Sequence, residues 1–515
     1  MKKKLAALLC GVMCVGAFTG CSSTELAYLQ MSKDMLDTME ACKVEGTMQA
    51  DVDFDALQGF AKDVAKATGG EFDADFDGTE MPSGKKSVTV DYDMNMNINT
   101  LEYDIAFDVT YEGKKYDLGT MYYSMTDGVY VTSDTLWGAY QMAGSFMKDY
   151  KDCKDSYLFS DAFEKDLKAV LAADPYIELV SMGDMTGVDM DAAMPQNGMG
   201  DLYDAVMTFY EDVLDGFETG MVKEISGGYA IQADGREVAQ LLVDLLDFVA
   251  KNPEQVINAT EAYMDAVMEQ VPAGTAEEKA AAQKEMVAMF AEARASQNDF
   301  VAAAKDMSTF LKGTMQDKSV AMILDGFAYK AEVKKAGDGF DSTATYDLTN
   351  KGKKVLHLTS NSTMKKSAVT VTMPKKAVSI DDLTAKLEAV ENKYNPVTSV
   401  TMGWGYEGAG NEADLFKSRE EAVFFGSNYD WTELIVKDGR AYLPLRVICD
   451  ALGENVGWEN ATKTPYVMQN GQRIDMKGLL QDGRAFVGVR DFEKLGYTVT
   501  YTSYEDGYKE AVIAR

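Results

Sequence analysis

The 515-residue chain contains one histidine, His357. Metal centres that need two or three imidazoles are therefore excluded. Any Ser-His or Cys-His nucleophile system would have to use that residue. Positive charge is scarce as well: 50 Lys and Arg stand against 83 Asp and Glu, a formal net charge of −33. So acidic a surface repels phosphate backbones and argues strongly against nucleic acid as a partner. Cysteine is scarce too, six in the chain, and the three beyond residue 21 are too sparse and widely spaced for a disulfide framework or a zinc knuckle. After the first twenty residues no apolar run reaches the ~18 residues of a membrane-spanning helix. Hydrophobic residues still make up 46% of the chain and charged residues 26%, ordinary globular usage that excludes wholesale disorder.

At the N-terminus, Lys2, Lys3 and Lys4 precede an apolar stretch from Leu5 to Phe18, which closes on Thr19-Gly20-Cys21. A basic segment, a short apolar segment and a small residue before cysteine resemble a bacterial lipoprotein signal peptide. The resemblance implies that residues 1–20 are removed and that Cys21 is acylated, palmitate being the expected kind of chain. The protein would then be held to the cytoplasmic membrane by acyl chains at ~0.8 kcal/mol per buried methylene. Cys10 and Cys14 leave with the signal. Cys42, Cys153 and Cys449 remain; their spacing leaves one bridge open and favours buried free thiols.

Periodicity divides the rest unequally. Tyr28, Met31, Met35, Met39 and Cys42 form one stripe of a helix over 24–42. A strand follows with Val44, Met48, Ala50, Val52 and Phe54 on one face and Lys43 to Asp53 on the other. Residues 88–98 alternate without a break, Val88 to Ile98 against Thr89 to Asn97, and Tyr103 to Tyr111 repeat the pattern. Long strands with one wet face predict an antiparallel sheet. Residues about 200–312 read as helical: Val238, Leu241, Leu242, Leu245 and Val249 form a stripe, Asn252-Pro253-Glu254 a helix start, and Thr275 with Glu278 a capping box. Strands resume at Ala321–Leu324, Tyr329–Val333, Lys354–Thr359 and Val369–Met373. The pattern over about 25–130 and 319–390 loosely resembles the half-barrel lipoproteins of bacterial envelopes, which implies a curved sheet around helices that can hold acyl chains or other apolar ligands. Residues 392–414, with Asn395-Pro396 and four glycines between 403 and 410, read as a linker. The expected fold class is α+β: an antiparallel, half-barrel-like sheet with an inserted helical block over 21–391, and a small α+β domain over 415–515.

The C-terminal part carries an internal repeat. Asp438-Gly439-Arg440-Ala441-Tyr442-Leu443-Pro444-Leu445-Arg446 recurs 44 residues later as Asp482-Gly483-Arg484-Ala485-Phe486-Val487-Gly488-Val489-Arg490. Each copy closes on Leu-Gly, at Gly453 and Gly496, and an alternating strand follows. Asp-Gly predicts a tight hairpin turn. The following glycine predicts a left-handed helix cap, and two such units would bury each other's apolar faces. The repeat resembles the copper amine oxidase N-terminal-like, or stalk, domain found on secreted proteins of Gram-positive bacteria. That implies a Gram-positive-type envelope and a non-catalytic binding or spacing module. Asn428-Tyr429-Asp430 matches the tripeptide that yields the quinone of amine oxidases, but their copper needs three histidines, so that chemistry is excluded.

The remaining constellations favour structural readings. Asp73, Asp75 and Asp77 before Gly78 fit the first half of a calcium loop, yet position twelve is Gly84 and not glutamate, so a solvated acidic loop is favoured and no cofactor is assigned. Gly403, Gly405 and Gly408 fit G-x-G-x-x-G without a βαβ unit and read as linker. Met182, Met185, Met190, Met194 and Met199 could ligate Cu(I), but methionine is abundant throughout and adaptable packing is the default. Seven lysines and no acid lie between Asp347 and Asp381; cross-strand pairing with the acidic faces of 88–112 is favoured over contact with anionic lipid or wall polymer. Paired carboxylates need no histidine, so a carboxylate-based hydrolase is the enzyme class left open, but no acid pair sits in a catalytic motif. The expected function is a non-enzymatic surface lipoprotein, outside the membrane, binding an apolar or envelope-derived ligand, such as a lipid or cell-wall component, through its β-rich domain and carrying a contact or spacer module. The alternative is a wall-associated adhesion or scaffold protein. A deep apolar cavity would favour the first; a filled core, the second.

Overall fold

The computed structural model describes residues 22–70, 83–97, 100–147, 156–181, 199–270, 276–405, 411–425, 427–505 and 507–515. The chain is α+β and forms two compact units, one of residues up to 139 with 178–376, the other of 140–177 with 377–515.

The first unit opens on helix α1 (Ser23–Met39), whose N-terminus is closed by a reciprocal cap between Ser22 and Glu25. Glu25 is buried. It accepts from the backbone N–H groups of Thr219 (2.9 Å) and Gly220 (3.1 Å) and from the Thr219 hydroxyl. Burial pushes its carboxyl pKa up, but the hydrogen bonds from Ser22 and Thr219 outweigh that and hold it below the usual range.

Strands β1 (Cys42–Asp53), β2 (Lys85–Asn97), β3 (Glu102–Tyr111), β4 (Lys114–Ser124) and β5 (Gly128–Thr132) run as a meander, with helix α2 (Phe54–Ala67) between β1 and β2. Helix α3 (Ser133–Met147), helix α4 (Asp161–Ala173) and β6 (Tyr176–Ser181) follow. The chain continues through α5 (Met199–Val213), β7 (Val222–Ile225), β8 (Gly228–Asp234), five helices α6 (Gly235–Lys251), α7 (Pro253–Gln270), α8 (Ala276–Ala295), α9 (Gln297–Thr314) and α10 (Lys318–Gly326), then β9 (Phe327–Ala336), β10 (Gly339–Asn350) and β11 (Lys353–Lys366). Within this unit the strand order is β5-β4-β3-β2-β1-β11-β10-β9-β8-β7, each neighbouring pair antiparallel. The predicted antiparallel sheet is thus present, its two halves joined by pairing β1 with β11.

Alternation sorts the faces. One rung reads Asp108, Asp91, Thr47, Asn361 and Thr343 across five strands; the next, on the opposite face, reads Val109, Val90, Met48, Ser360 and Ala344. Helices α1 and α2 pack against the sheet. Leu241, Leu245 and Val249 of the predicted α6 stripe are buried with Phe209, Val213 and Ile231 in one cluster. Leu242 instead faces outward.

Several expectations are corrected. Phe54 does not extend β1: Asp53 accepts the Ala56 N–H at 2.9 Å and starts α2 there. The helical block is interrupted by the β7–β8 hairpin, and Ala321–Leu324 lies in α10, where the Asp317 carboxylate caps Ser319 and Val320. Val369–Met373 joins no ladder, although Val371 is buried.

The second unit overturns the linker at 392–414 and the boundary at 391. After β12 (Val378–Ser379) comes α11 (Ile380–Tyr394), then β13 (Ser399–Trp404) and β14 (Glu412–Ser418). Val400, Met402 and Trp404 alternate inward and are buried; the glycines beside them concealed that pattern. Phe163, Leu167 and Leu171 of α4 and Leu383 and Leu387 of α11 are buried. Asp166 accepts from Lys393 (2.6 Å) and Tyr394 (2.8 Å). Buried Glu391 accepts from the Tyr157 hydroxyl and from the N–H groups of Phe424 and Phe425, both at 2.8 Å. A segment far upstream in sequence therefore belongs to the C-terminal unit.

Candidate functional site

The remaining strands are β15 (Tyr429–Glu433), β16 (Ile435–Lys437), β17 (Arg440–Pro444), helix α12 (Leu445–Ala451), β18 (Asn455–Glu459), β19 (Thr464–Gln469), β20 (Gln472–Asp475), β21 (Leu479–Gln481), β22 (Arg484–Gly488), β23 (Thr498–Ser503) and β24 (Lys509–Ala514). Asp438 and Gly439 have φ of 51° and 71°, Asp482 and Gly483 of 50° and 77°. Positive φ at both central positions is what a type I′ hairpin turn demands, so β16–β17 and β21–β22 fold as predicted. The two hairpins join through β17 and β22, with Leu443 opposite Val487. These residues are 44 apart, so equivalent positions of the two copies face each other across a local pseudo-dyad.

The copies then diverge. Pro444 leads into the α-helix α12, and Gly453 follows at φ 74°. In the second copy Gly488 replaces proline and the chain makes a 3-10 helix, Val489–Leu495, opened by the Gly488 N–H donating to Asp491 at 3.1 Å and closed by left-handed Gly496. Leu443, Leu445, Ile448, Val487, Phe492 and Leu495 share one core, as mutual burial of two units predicts.

A groove of about 670 Å³ opens on this module. Its lining includes Trp431 of β15, Trp458 of β18, Pro444 and Arg446 at the start of α12, Pro465, and Arg484 beside the second turn. Trp431 is 61% exposed and Trp458 38%. Neither stacks on another aromatic ring among the described residues. Trp458 donates its indole N–H to Asn460 at 3.1 Å, which holds the ring. Arg484 pairs with Glu433 at 3.3 Å. Arg446 is exposed and has no partner among the described residues.

Residues 426–478 match the copper amine oxidase N-terminal domain. No curated protein and no solved structure matches the chain. The matched stretch covers β15 and the first copy of the repeat; the second copy lies beyond it. In this copper amine oxidase N-terminal-like module, Arg440 and Arg490 are exposed at a strand start and within the 3-10 helix. Of the Asn428-Tyr429-Asp430 tripeptide, Tyr429 donates its hydroxyl to Asp414 at 2.8 Å and Asp430 accepts the Trp431 N–H, which is strand-edge wiring. Gly403 lies in β13 where a Cβ would meet the Tyr508 ring, so the G-x-G pattern there serves close strand packing.

Two other cavities lie in the large sheet. A trough of about 650 Å³ on the polar face is lined by Glu45, Thr47, Asp91, Asp93, Asp108 and Asp341 among others. Its acids are supplied with donors: Thr47 to Asp91 at 2.7 Å, Thr363 to Asp341 at 2.7 Å, Lys43 to Glu45 and Asp93, Lys115 to Asp108. A pocket of about 200 Å³ on the other face is lined by Tyr28, Tyr229, Tyr329 and Ile231. His357 faces Asp51 on β1 and Asp347 on β10, contacting Asp347 at 2.6 Å beside Lys354. Burial pushes Asp347 up, but Lys354 and His357 outweigh it and keep the carboxyl below its ordinary range. The lysine stretch pairs with Asp63, Asp347 and Glu40 and not with strands 88–112, because β1 separates β11 from β2.

Cys42 and Cys449 are free and buried; burial, with Glu454 and Asp450 nearby, pushes the Cys449 thiol up to about 12. Cys21, Cys153, Asp73, Asp75, Asp77, Thr275, Gly408, Met182, Met185, Met190 and Met194 lie outside the described residues. Among the described residues no cluster of three or more His, Cys, Asp or Glu is placed to hold a metal ion, and no helix is long and apolar enough to cross a membrane. Sequence reasoning did not single out the tryptophan groove. Its trace was compositional: three of four tryptophans (404, 431, 458) and seven of nine arginines lie beyond residue 400.

Proposed function

We propose that this is a non-enzymatic, surface-anchored binding protein whose C-terminal module makes the contact, at the groove between Trp431 and Trp458. The carrying observation is the pair of exposed indoles beside an unpartnered arginine. Covering about 100 Å² of indole yields about 2.5 kcal/mol, and tryptophan and arginine are the side chains most often dominant at recognition surfaces. Among the described residues, the two cavities of the large sheet weigh against the carrier reading: the pocket of about 200 Å³ is smaller than the ~300–1,000 Å³ of typical ligand cavities, and the trough of about 650 Å³ is lined mainly by carboxylates and hydroxyls and not by apolar side chains. In this reading the large sheet displays the module, and acylated Cys21 holds the protein at the outer face of a Gram-positive-type cytoplasmic membrane.

Two experiments test the reading. Full-length protein expressed in a Gram-positive host should incorporate a labelled fatty acid, and Cys21→Ser should abolish it; equal labelling of both sinks the anchor. The chain from residue 22 onward should sediment with isolated cell walls, and the Trp431→Ala, Trp458→Ala double variant should not. Undiminished sedimentation of that variant would place the contact elsewhere.

A further inference from the structure

The chemistry of the groove also specifies a class of ligand, an inference that rests on the contact reading above. We propose that it binds an anionic glycan, with sugar rings laid on the faces of Trp431 and Trp458 and an acidic substituent held by Arg446.

Three features carry this. First, a pyranose ring presents a face of C–H groups with hydroxyls around its rim, and a flat indole covers such a face while leaving the rim wet. Trp431 and Trp458 line one groove from separate strands, β15 and β18, and both keep substantial exposed area. Second, Arg484 and Glu433 stand side by side at 3.3 Å on the groove wall. A planar donor fork next to an acceptor suits neighbouring hydroxyls, which both give and take hydrogen bonds. Third, that pairing leaves Arg446 uncompensated. A guanidinium takes a carboxylate or phosphate in bidentate fashion. The chain's net charge of −33 makes exposed, unpaired arginines local exceptions; Arg440 and Arg490 are others in the module, but Arg446 is the one that lines the groove. The walls at Pro444 and Pro465 have no backbone N–H to offer, which disfavours an extended peptide held by main-chain hydrogen bonds.

The test uses the chain from residue 22 to 515, titrated with a short oligouronate, a short poly(glycerol phosphate), an uncharged oligosaccharide of the uronate's length and linkage, a proline-rich peptide and an acidic peptide. Binding is followed by tryptophan emission and calorimetry at two salt concentrations. The oligouronate should bind; the poly(glycerol phosphate), which has no sugar ring to lay on an indole, reports how far a phosphate alone is held by Arg446, and its binding without the uronate's overturns the glycan reading. Arg446→Ala should lower the oligouronate affinity about tenfold or more, as loss of a charge-assisted hydrogen bond does, and flatten its salt dependence. Arg446→Lys should restore part of it. The uncharged oligosaccharide should bind weakly and indifferently to Arg446, and Trp431→Phe should bind better than Trp431→Ala. Preferential binding of either peptide overturns the proposal, as does an affinity for the acidic polymers that Arg446→Ala leaves unchanged. If wall sedimentation stays tryptophan-dependent while no saccharide binds, the ligand class is wrong and the contact reading stands. If both fail, the contact reading falls with it. Arg446 is exposed, so its alanine variant should keep the wild-type melting temperature; a variant that does not is replaced by Arg446→Gln.

Discussion

The trough of the large sheet and the groove of the C-terminal module enclose nearly the same space, about 650 and 670 Å³, and are wired in opposite ways. In the trough, threonine and lysine answer the carboxylates on the neighbouring strands. Such pairs are worth ~0–1 kcal/mol each on a wet face and leave little to offer a visitor. In the groove, the faces of two indoles and the Arg446 guanidinium have no comparable partners among the described residues; Trp458 spends only its ring-edge N–H, on Asn460. Volume therefore does not distinguish a site from a fold in a sheet; unspent interactions do.

That contrast can be broken or sharpened by substitution, ranked by expected effect on stability. Leu443→Ala removes a fully buried side chain where the two hairpins meet. It should cost about 3 kcal/mol, read as a lowered denaturation midpoint of the module; an unchanged midpoint would mean that the repeats do not support each other. Gly439→Ala meets no neighbour within 4 Å but places a Cβ at φ 71°, so about 1 kcal/mol should be lost through backbone strain alone. Asp347→Asn tests the carboxylates of the large sheet. Its folded pKa is depressed, so its stabilisation is present above the ordinary carboxylate range near pH 4 and is lost as pH falls through the folded value. The variant should lose under about 1 kcal/mol at neutral pH and show a shallower acid limb in melting temperature against pH; an identical limb would deny that the pairing matters. Trp431→Ala should change stability by less than about 0.5 kcal/mol while removing wall binding. A large loss of stability there would recast the ring as core.

Much of the fold could be read beforehand because local chemistry agreed with global placement. The alternation from Val88 onward, the stripe of Leu241, Leu245 and Val249, and both Asp-Gly turns meant in three dimensions what they meant in one. The failures have physical causes. Phe54 continued an apolar alternation that a cap at Asp53 cut short. Glycine-rich 399–414 looked like punctuation, although Val400, Met402 and Trp404 form the central strand of a five-stranded sheet ordered β15-β14-β13-β24-β23. Glu391 draws Tyr157 and Phe424 together across 234 and 33 residues, a link no window of sequence contains. The groove failed for the same reason. Trp431, Arg446, Trp458 and Arg484 come from four elements, and only folding makes neighbours of them.

Strands β13 and β24 run antiparallel with Ser399 opposite Ala514, so the chain enters one and leaves the other at the same end of their ladder. Tension applied between those two points would peel the rungs apart singly, as a zip opens, instead of shearing all of them together. Under such a load this sheet is thus weak along the β13–β24 ladder.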